Sequence, residues 1–395
     1  MRNFVGKINE ISPKMMKKLL FFTLTLGMLA ITAFSCKLNS DTRPQTEPED
    51  SIAAEPQEYH LSLLIAGDLM QHEPQIKAAL RPDGSYNYDE CFERVKPEIE
   101  RADVAIANFE VTLGGRPYKG YPQFSAPDEY LKACVDAGFD ILFTANNHCL
   151  DSYKKGFERT LDLMDSLPVP HLGTYRNAEE RQKNYPFLLE QNGLRIVLLN
   201  FTYGTNGLRV QAPNVVNYMD TTEIALDIVK AKQMNPDVII AIPHWGIEYQ
   251  TLPSPQQKEI AQWLLDRGVD HIIGGHPHVA QPLELRNNGK NLIAWSLGNF
   301  ISNQYKPNTY GGYMVRMEFT KRDSTTTLSD CGYTLYWVSR PVDSNRKHQY
   351  RVLPIDEPDE ELTAAERQKR NQVRTSMRSL MERNNKGNIK EYTFQ

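Results

Sequence analysis

Five apolar runs in this chain each stop on residues bearing oxygen or imidazole, and that repetition constrains the fold more than any other feature. Residues 61–66 run into Gly67-Asp68, 104–107 into Asn108-Phe109-Glu110, and 141–145 into Asn146-Asn147-His148. Residues 238–243 run into His244-Trp245-Gly246-Ile247-Glu248, and 269–274 into Gly275-His276-Pro277-His278. Short, partly β-branched apolar runs read as buried strands. In α/β proteins the crevice outside the carboxyl ends of such strands is where ligands bind. Glycine lets backbone come close there, and Pro277 stiffens the turn that aims the imidazoles of His276 and His278. Imidazole and carboxylate together suit one or two divalent ions, with Mn, Zn, Fe or Ni all compatible. No cysteine sits at ligand spacing, so the pattern points to an open catalytic centre and away from a structural zinc knot.

Between these runs, residues 89–101, 128–137, 154–166, 222–234 and 254–267 show helical spacing or caps. Ser254-Pro255 reads as an N-cap followed by proline at the first helical position. The alternation over residues 59–355 predicts one α/β domain, with helices outside its sheets. Beyond Trp295 the pattern changes. Residues 313–319 and 333–339 alternate in β fashion with no helix between them, predicting antiparallel strands of a second sheet. Residues 203–216, rich in Gly, Asn and Pro, read as a loop bordering the site.

The two ends carry different signals. Lys14, Lys17 and Lys18 precede an apolar run over 19–33 that is short for a membrane span. It closes on Ala33-Phe34-Ser35-Cys36, so residues 1–36 resemble a bacterial lipoprotein signal, with Cys36 as the lipidated first residue of the mature protein. An ordinary signal peptide or an uncleaved anchor is the alternative. Residues 37–58 mix Pro, Glu, Asp, Thr and Ser and read as a disordered tether. The expected location is the bacterial cell envelope, anchored to a membrane without spanning it. Residues 356–395 form a basic helical segment whose Val373, Met377, Leu380 and Met381 make a stripe suited to packing on the domain. Cys91, Cys134, Cys149 and Cys331 name no disulfide pair by spacing, and Cys149 reads as a buried thiol. A net charge of −4 gives no general attraction to nucleic acid.

Taken in order, Gly67-Asp68-Leu69-Met70, Asn108-Phe109-Glu110, Ala145-Asn146-Asn147-His148, His244-Trp245-Gly246, Gly275-His276-Pro277-His278 and Ser296-Leu297-Gly298-Asn299-Phe300 resemble the CapA family of poly-γ-glutamate capsule biosynthesis proteins. That family is related to the calcineurin-like metallophosphoesterases. The resemblance covers residues 59–305 and implies a four-layer sandwich, with two central mixed sheets flanked by helices. It implies Asp68 and His278 at a first metal, Glu110 bridging two metals, and Asn147, His244 and His276 at the second. It makes His148 the catalytic group that protonates the leaving group, with Asn108, Glu248 and Asn299 in supporting positions. The expected partners are an envelope polymer or phosphoester substrate, the membrane, and capsule-assembly proteins. One position departs from the phosphoesterase pattern, since Met70 stands where those relatives carry a histidine ligand. A thioether is a poor ligand for a borderline dication, and His72 is the nearest substitute. A metal-dependent hydrolase, a general phosphoesterase, and a non-enzymatic assembly accessory that binds polyanion are all compatible with this resemblance.

Overall fold

Each of the five apolar runs folds as a strand in the computed structural model, which describes residues 57–342 and 348–394. Cys36, the apolar run before it and nearly all of the tether lie outside these residues. In chain order the strands are β1 (Glu58–Leu69), β2 (Val104–Phe109), β3 (Ile141–Phe143), β4 (His171–Leu172), β5 (Thr174–Tyr175) and β6 (Phe187–Gln191). Then come β7 (Leu194–Thr202), β8 (Val215–Val216), β9 (Val238–His244), β10 (His271–Ile273), β11 (Leu283–Arg286) and β12 (Asn291–Ala294). The last are β13 (Asn299–Ile301), β14 (Gly311–Arg322), β15 (Thr325–Ser339), β16 (Arg351–Pro354) and β17 (Lys390–Glu391).

The first sheet runs β16-β15-β14-β1-β2-β3-β4, with β13 beside the end of β1 and β17 beside β15. The second runs β11-β12-β10-β9-β7-β6, and β5 with β8 forms a small ribbon. Strands β1 to β4 are mutually parallel, as are β7, β9, β10 and β12, so each sheet gathers several carboxyl ends along one edge.

Side-chain alternation assigns the faces. Leu61, Leu63 and Ile65 of β1 share one apolar cluster with Ile196 and Leu198 of β7 and Ile240 of β9, so the two sheets pack on each other. Leu64 and Ala66 belong to a different cluster, with Phe92, Ile99, Tyr130 and Leu131 from the helices Asp89–Phe92, Lys96–Arg101 and Asp128–Asp136. The helices Thr221–Gln233 and Pro255–Leu265 cover the second sheet through Ile224, Ile228, Ala261 and Leu264. Ser254 accepts from Gln257 N and completes a capping box at the second of these. The architecture is four layers, helix–sheet–sheet–helix.

The antiparallel strands over 313–319 and 333–339 do not build a second sheet, contrary to the expectation from alternation. They lie in β14 and β15, which extend the first sheet from the free edge of β1. Alternation says that one face is buried but not which edge a strand joins. The long β1 meets β2 only from Leu63 onward, and β14 satisfies the backbone of its other edge from Glu58 to Ile65. The helix Ala364–Asn384 buries Val373, Met377 and Met381 in the inter-sheet cluster, and β17 after it pairs with β15. The cysteines at 91, 134, 149 and 331 are unbridged, and burial pushes the Cys149 thiol up to about 12.

One device recurs at the amino ends of the parallel strands. An aspartate stands immediately before β2, β3, β9 and β10 and accepts a backbone N–H near the start of the neighbouring strand. Asp103 takes Ser62 N at 2.8 Å, Asp140 takes Ala105 N at 2.9 Å, Asp237 takes Arg195 N at 2.8 Å and Asp270 takes Ile239 N at 2.8 Å. Each staple satisfies a backbone donor of an interior strand and pins the register. Asp140→Ala strands the N–H of fully buried Ala105. It should cost about 1–3 kcal/mol, the usual penalty for a buried unsatisfied donor, read as a fall in the urea midpoint. An unchanged midpoint would show the staple to be dispensable.

Candidate functional site

The placement of Asp68 begins with a glycine. In the β1–β2 ladder Ala66 pairs with Ala107 and Asp68 with Asn108, so Gly67 is an extra residue, a β-bulge. A Cβ on Gly67 would lie 1.9 Å from the Gly298 carbonyl oxygen, so only glycine fits. The bulge flips the parity of the strand. Leu61, Leu63 and Ile65 face the second sheet, and beyond the bulge it is Asp68 that does so, beside Asn108.

Asn108 Nδ2 donates to Asp68 Oδ1 at 2.8 Å and to Glu110 Oε2 at 3.0 Å, holding the two carboxylates together. Asn146 Nδ2 donates to Asn108 Oδ1 at 3.1 Å and keeps that amide in orientation. From the second sheet, His244 ends β9, and His276 and His278 come after β10. His278 Nδ1 donates to Asp68 Oδ2 at 3.2 Å, leaving Nε2 3.9 Å from Glu110 Oε1. His244 Nε2 lies 2.7 Å from Asn147 Oδ1 and 3.5 Å from Glu110 Oε1. The His244 and His276 rings are 4.9 Å apart. The structure thus brings together Asp68, Glu110, Asn147, His244, His276 and His278, all buried, with Glu110 Oε1 between the rings of His278 and His244.

The electrostatics of this cluster fit a cation. Asp68 and Glu110 are each 0% exposed. Burial, then the adjacent Asp68 charge, drives the Glu110 carboxyl well above the ordinary range. Burial opposes ionisation of Asp68 too, but the hydrogen bond and positive potential of His278 outweigh it and hold that carboxyl low. Burial pushes His244 down to about 3 and His276 well below its usual value, so both imidazoles are neutral donors. Asp68, Glu110 and His244 each offer a ligand atom within 4.8 Å of one another. Glu110 Oε1 and His276 Nδ1 are buried without any hydrogen-bond partner. A divalent ion at this place would supply the missing partner for both and the missing positive charge. His276 (φ 98°) and His278 (φ 58°) sit in the left-handed region, a backbone cost typical of functional sites.

His148 stands to one side of the cluster. Its Nδ1 donates to Asp151 Oδ2 at 2.7 Å, and Asp151 is fixed in turn by Phe124 N at 2.8 Å. Residues 203–216 do border the site. Asn206 Nδ2 lies 3.4 Å from His148 Nδ1, and Asn206 Oδ1 accepts from Asn147 at 3.2 Å. The Tyr203 ring lies 4.4 Å from that of His276 and is 44% exposed, forming part of a roof. Asp151, Asn206 and Tyr203 were not among the expected site residues. Asp151 carried a signal, standing three residues after His148 at the start of a helical run.

Glu248 and Asn299, expected in supporting positions, lie outside the buried cluster, as do Met70 and His72. Glu248 is exposed at the mouth, where its charge reaches Glu110 and Tyr203 without entering the cluster. Asn299 is the register partner of Asp68, and its amide donates to Gln304 Oε1 and Thr309 O, bracing the loop after β13. Met70 packs into the apolar cluster on the helical side of the first sheet. His72 is no free substitute, because its Nδ1 accepts from Asn303 N at 3.2 Å and its ring leans edge-on against Phe124.

Similarity to known proteins covers the same span. Residues 62–304 match the family described as bacterial capsule synthesis protein PGA_cap. The capsule biosynthesis protein CapA of Bacillus anthracis is 30% identical over 283 residues, covering 68% of this chain and 66% of that protein. The PGA biosynthesis protein CapA of Bacillus subtilis is 25% identical over 322 residues, covering 80% of each. Among solved structures, the calcineurin-like phosphoesterase YfkN from Bacillus subtilis aligns with a TM-score of 0.44 at 15% identity, over 83% of this chain and 99% of that one. The NAD nucleotidase of Haemophilus influenzae aligns with a TM-score of 0.41 at 12% identity, over 86% and 58%. The matched family span contains the whole buried cluster from Asp68 to His278, and the chain belongs to the CapA family of bacterial capsule synthesis proteins.

Proposed function

We propose that this chain is a lipid-anchored hydrolase of the bacterial cell envelope, acting on a bond in a capsule-type polymer or envelope phosphoester with the help of one or two divalent ions. The observation that carries the reading is the buried cluster with its two unpartnered atoms, Glu110 Oε1 and His276 Nδ1. Asp68, Glu110 and His278 would hold one ion, and Glu110, Asn147, His244 and His276 the other. A divalent ion bound there supplies Lewis acidity and lowers the pKa of water from about 15.7 toward 7.

The chain's own groups do the rest. With Nδ1 of His148 turned to Asp151, Nε2 is the nitrogen left to exchange a proton with the leaving group. Asp151 holds the ring and tautomer, and Asn206 restricts its rotation. Tyr203 over His276 narrows access for water. A second reading, a non-enzymatic assembly accessory that binds polyanion in the pocket, draws on Met70, which withholds one ligand from the first ion.

Metal content and turnover should separate by residue. His244→Asn and His276→Asn should deplete metal from the purified protein, measured by mass spectrometry of the elements. His148→Asn should keep its metal and lose about 10²–10⁴-fold in kcat, the usual contribution of a general acid, on phosphodiesters or γ-glutamyl polymer. Loss of metal from His148→Asn would make that residue a ligand and overturn the division of roles. Wild-type protein that holds metal but turns over neither substrate class would favour the accessory reading.

Anchoring has its own test. Cys36→Ser should move the protein from the membrane to the soluble fraction, because stable attachment requires a multiply acylated cysteine. Retention of the variant on membranes after signal cleavage would sink the lipoprotein reading.

A further inference from the structure

Arg340, immediately after β15, is a part-buried cation with no carboxylate partner among the described residues. Its Nη1 donates to Gln304 O at 3.0 Å, and its guanidinium lies 4.4 Å over the Tyr310 ring and 5.6 Å over the Tyr305 ring. Nε and Nη2 are buried and have no hydrogen-bond partner, and no carboxylate pairs with the side chain among the described residues. Buried charges are ordinarily paired, because an unpaired one carries its full desolvation cost. Nε and Nη2 also share one edge of the guanidinium. Their parallel N–H bonds match the two oxygens of a carboxylate or a phosphate. A second cation stands close by, since Lys369 Nζ lies 4.1 Å over the same Tyr310 ring and has no carboxylate partner among the described residues.

The place of this edge links it to the metal-type cluster. Gln304, whose carbonyl anchors Nη1, accepts the amide of Asn299, the register partner of Asp68. Asn303 beside it donates its N–H to His72, whose ring lies within electrostatic reach of the Arg340 guanidinium. The loop 302–310 is therefore a bridge between Asp68 and Arg340.

We propose that the free edge of Arg340, with Tyr305, Tyr310 and Lys369, is a second subsite of the pocket that takes a carboxylate or phosphate group of the substrate. That the anion belongs to the substrate rests on the function proposed above, whereas the anion site stands on the unpaired guanidinium alone. The side chain with room to move is Tyr305, which is 67% exposed and held by one hydrogen bond from Asn303. A ligand that bridges the two places must carry a second anionic group away from the bond attacked, as an anionic polymer does and a simple monoester does not.

The test is calorimetric titration of the full-length protein in detergent with inorganic phosphate, and separately with a short oligomer of γ-linked glutamate. At least one should bind, and the better of the two identifies the anion. Arg340→Gln should weaken that binding about tenfold to a hundredfold, the range for a charge-assisted hydrogen-bonded contact, and Arg340→Lys should restore only part of it. Metal content should not change. Lys369→Gln, a surface substitution that spares the fold, should weaken the same binding by about twofold to fivefold. Failure of the wild type to bind either anion, or affinities indifferent to both positions, would overturn the subsite. Arg340-dependent binding without turnover would instead refute only the hydrolase reading, and turnover indifferent to Arg340 would refute only the subsite.

Discussion

Two carboxylates buried side by side set the terms for everything around them. Asp68 and Glu110 are shut off from water and joined through one donor, the amide of Asn108. Two ionised groups at such a distance repel, and each has lost its hydration. The surroundings resolve this for one of them, because His278 donates to Asp68, and leave an oxygen of Glu110 without a partner. The same burial keeps His244 and His276 neutral, with lone pairs available. Costs that would count against the cluster as a structural feature are therefore what suit it to holding a cation. The left-handed backbone at His276 and His278 is a further cost of the same kind, accepted to aim two rings at one point.

The fold supports that cluster from a distance. The clustered side chains lie at or just beyond the carboxyl ends of β1, β2, β3, β9 and β10, and at the amino ends of β2, β3, β9 and β10 stand the four aspartate staples. A slip of one residue anywhere along a strand would send its terminal side chain to the opposite face. Fixing register at one end is thus a condition for chemistry at the other. Gly67 uses the same rule in reverse. It inserts one residue on purpose, so that a strand whose odd positions face the second sheet ends by pointing an even one, Asp68, into the pocket.

Much of this was legible in the sequence. Apolar runs ending on Asp, Glu, Asn and His locate the strand ends and the residues that gather there, since a buried strand and the residue leaving it are both local properties. What stayed hidden depends on partners far along the chain. Gly67 announces a tight place, but the carbonyl that makes it tight belongs to Gly298. The alternation of β14 and β15 is visible, yet the edge they join is set by the length of β1, and the expectation of a separate sheet failed there. Asn206 reaches His148 across a loop whose path no periodicity describes. The aspartate staples are the opposite case. Asp103, Asp140, Asp237 and Asp270 stand in plain view before four strands, and only their partners show that they act alike.

Met70 bears on how the two sides of the cluster differ. The bulge that turns Asp68 toward the second sheet also sets the course of the next two residues, and both Leu69 and Met70 enter the apolar cluster under the helices. The Met70 carbonyl is held there by Gln75 Nε2 at 3.0 Å and by the Tyr130 hydroxyl at 3.3 Å. The methionine is therefore packed as core and is turned away from the ligands. The neighbouring His72, just before the helix Glu73–Ala79, is given to a structural task, accepting Asn303 N and so tying that helix to the loop that carries Gln304 toward Arg340. On this side of the cluster Met70 offers no donor, and the Arg340 guanidinium stands beyond the loop 302–310. An anionic group of the ligand, reaching from the cluster toward that loop, is what would join the two.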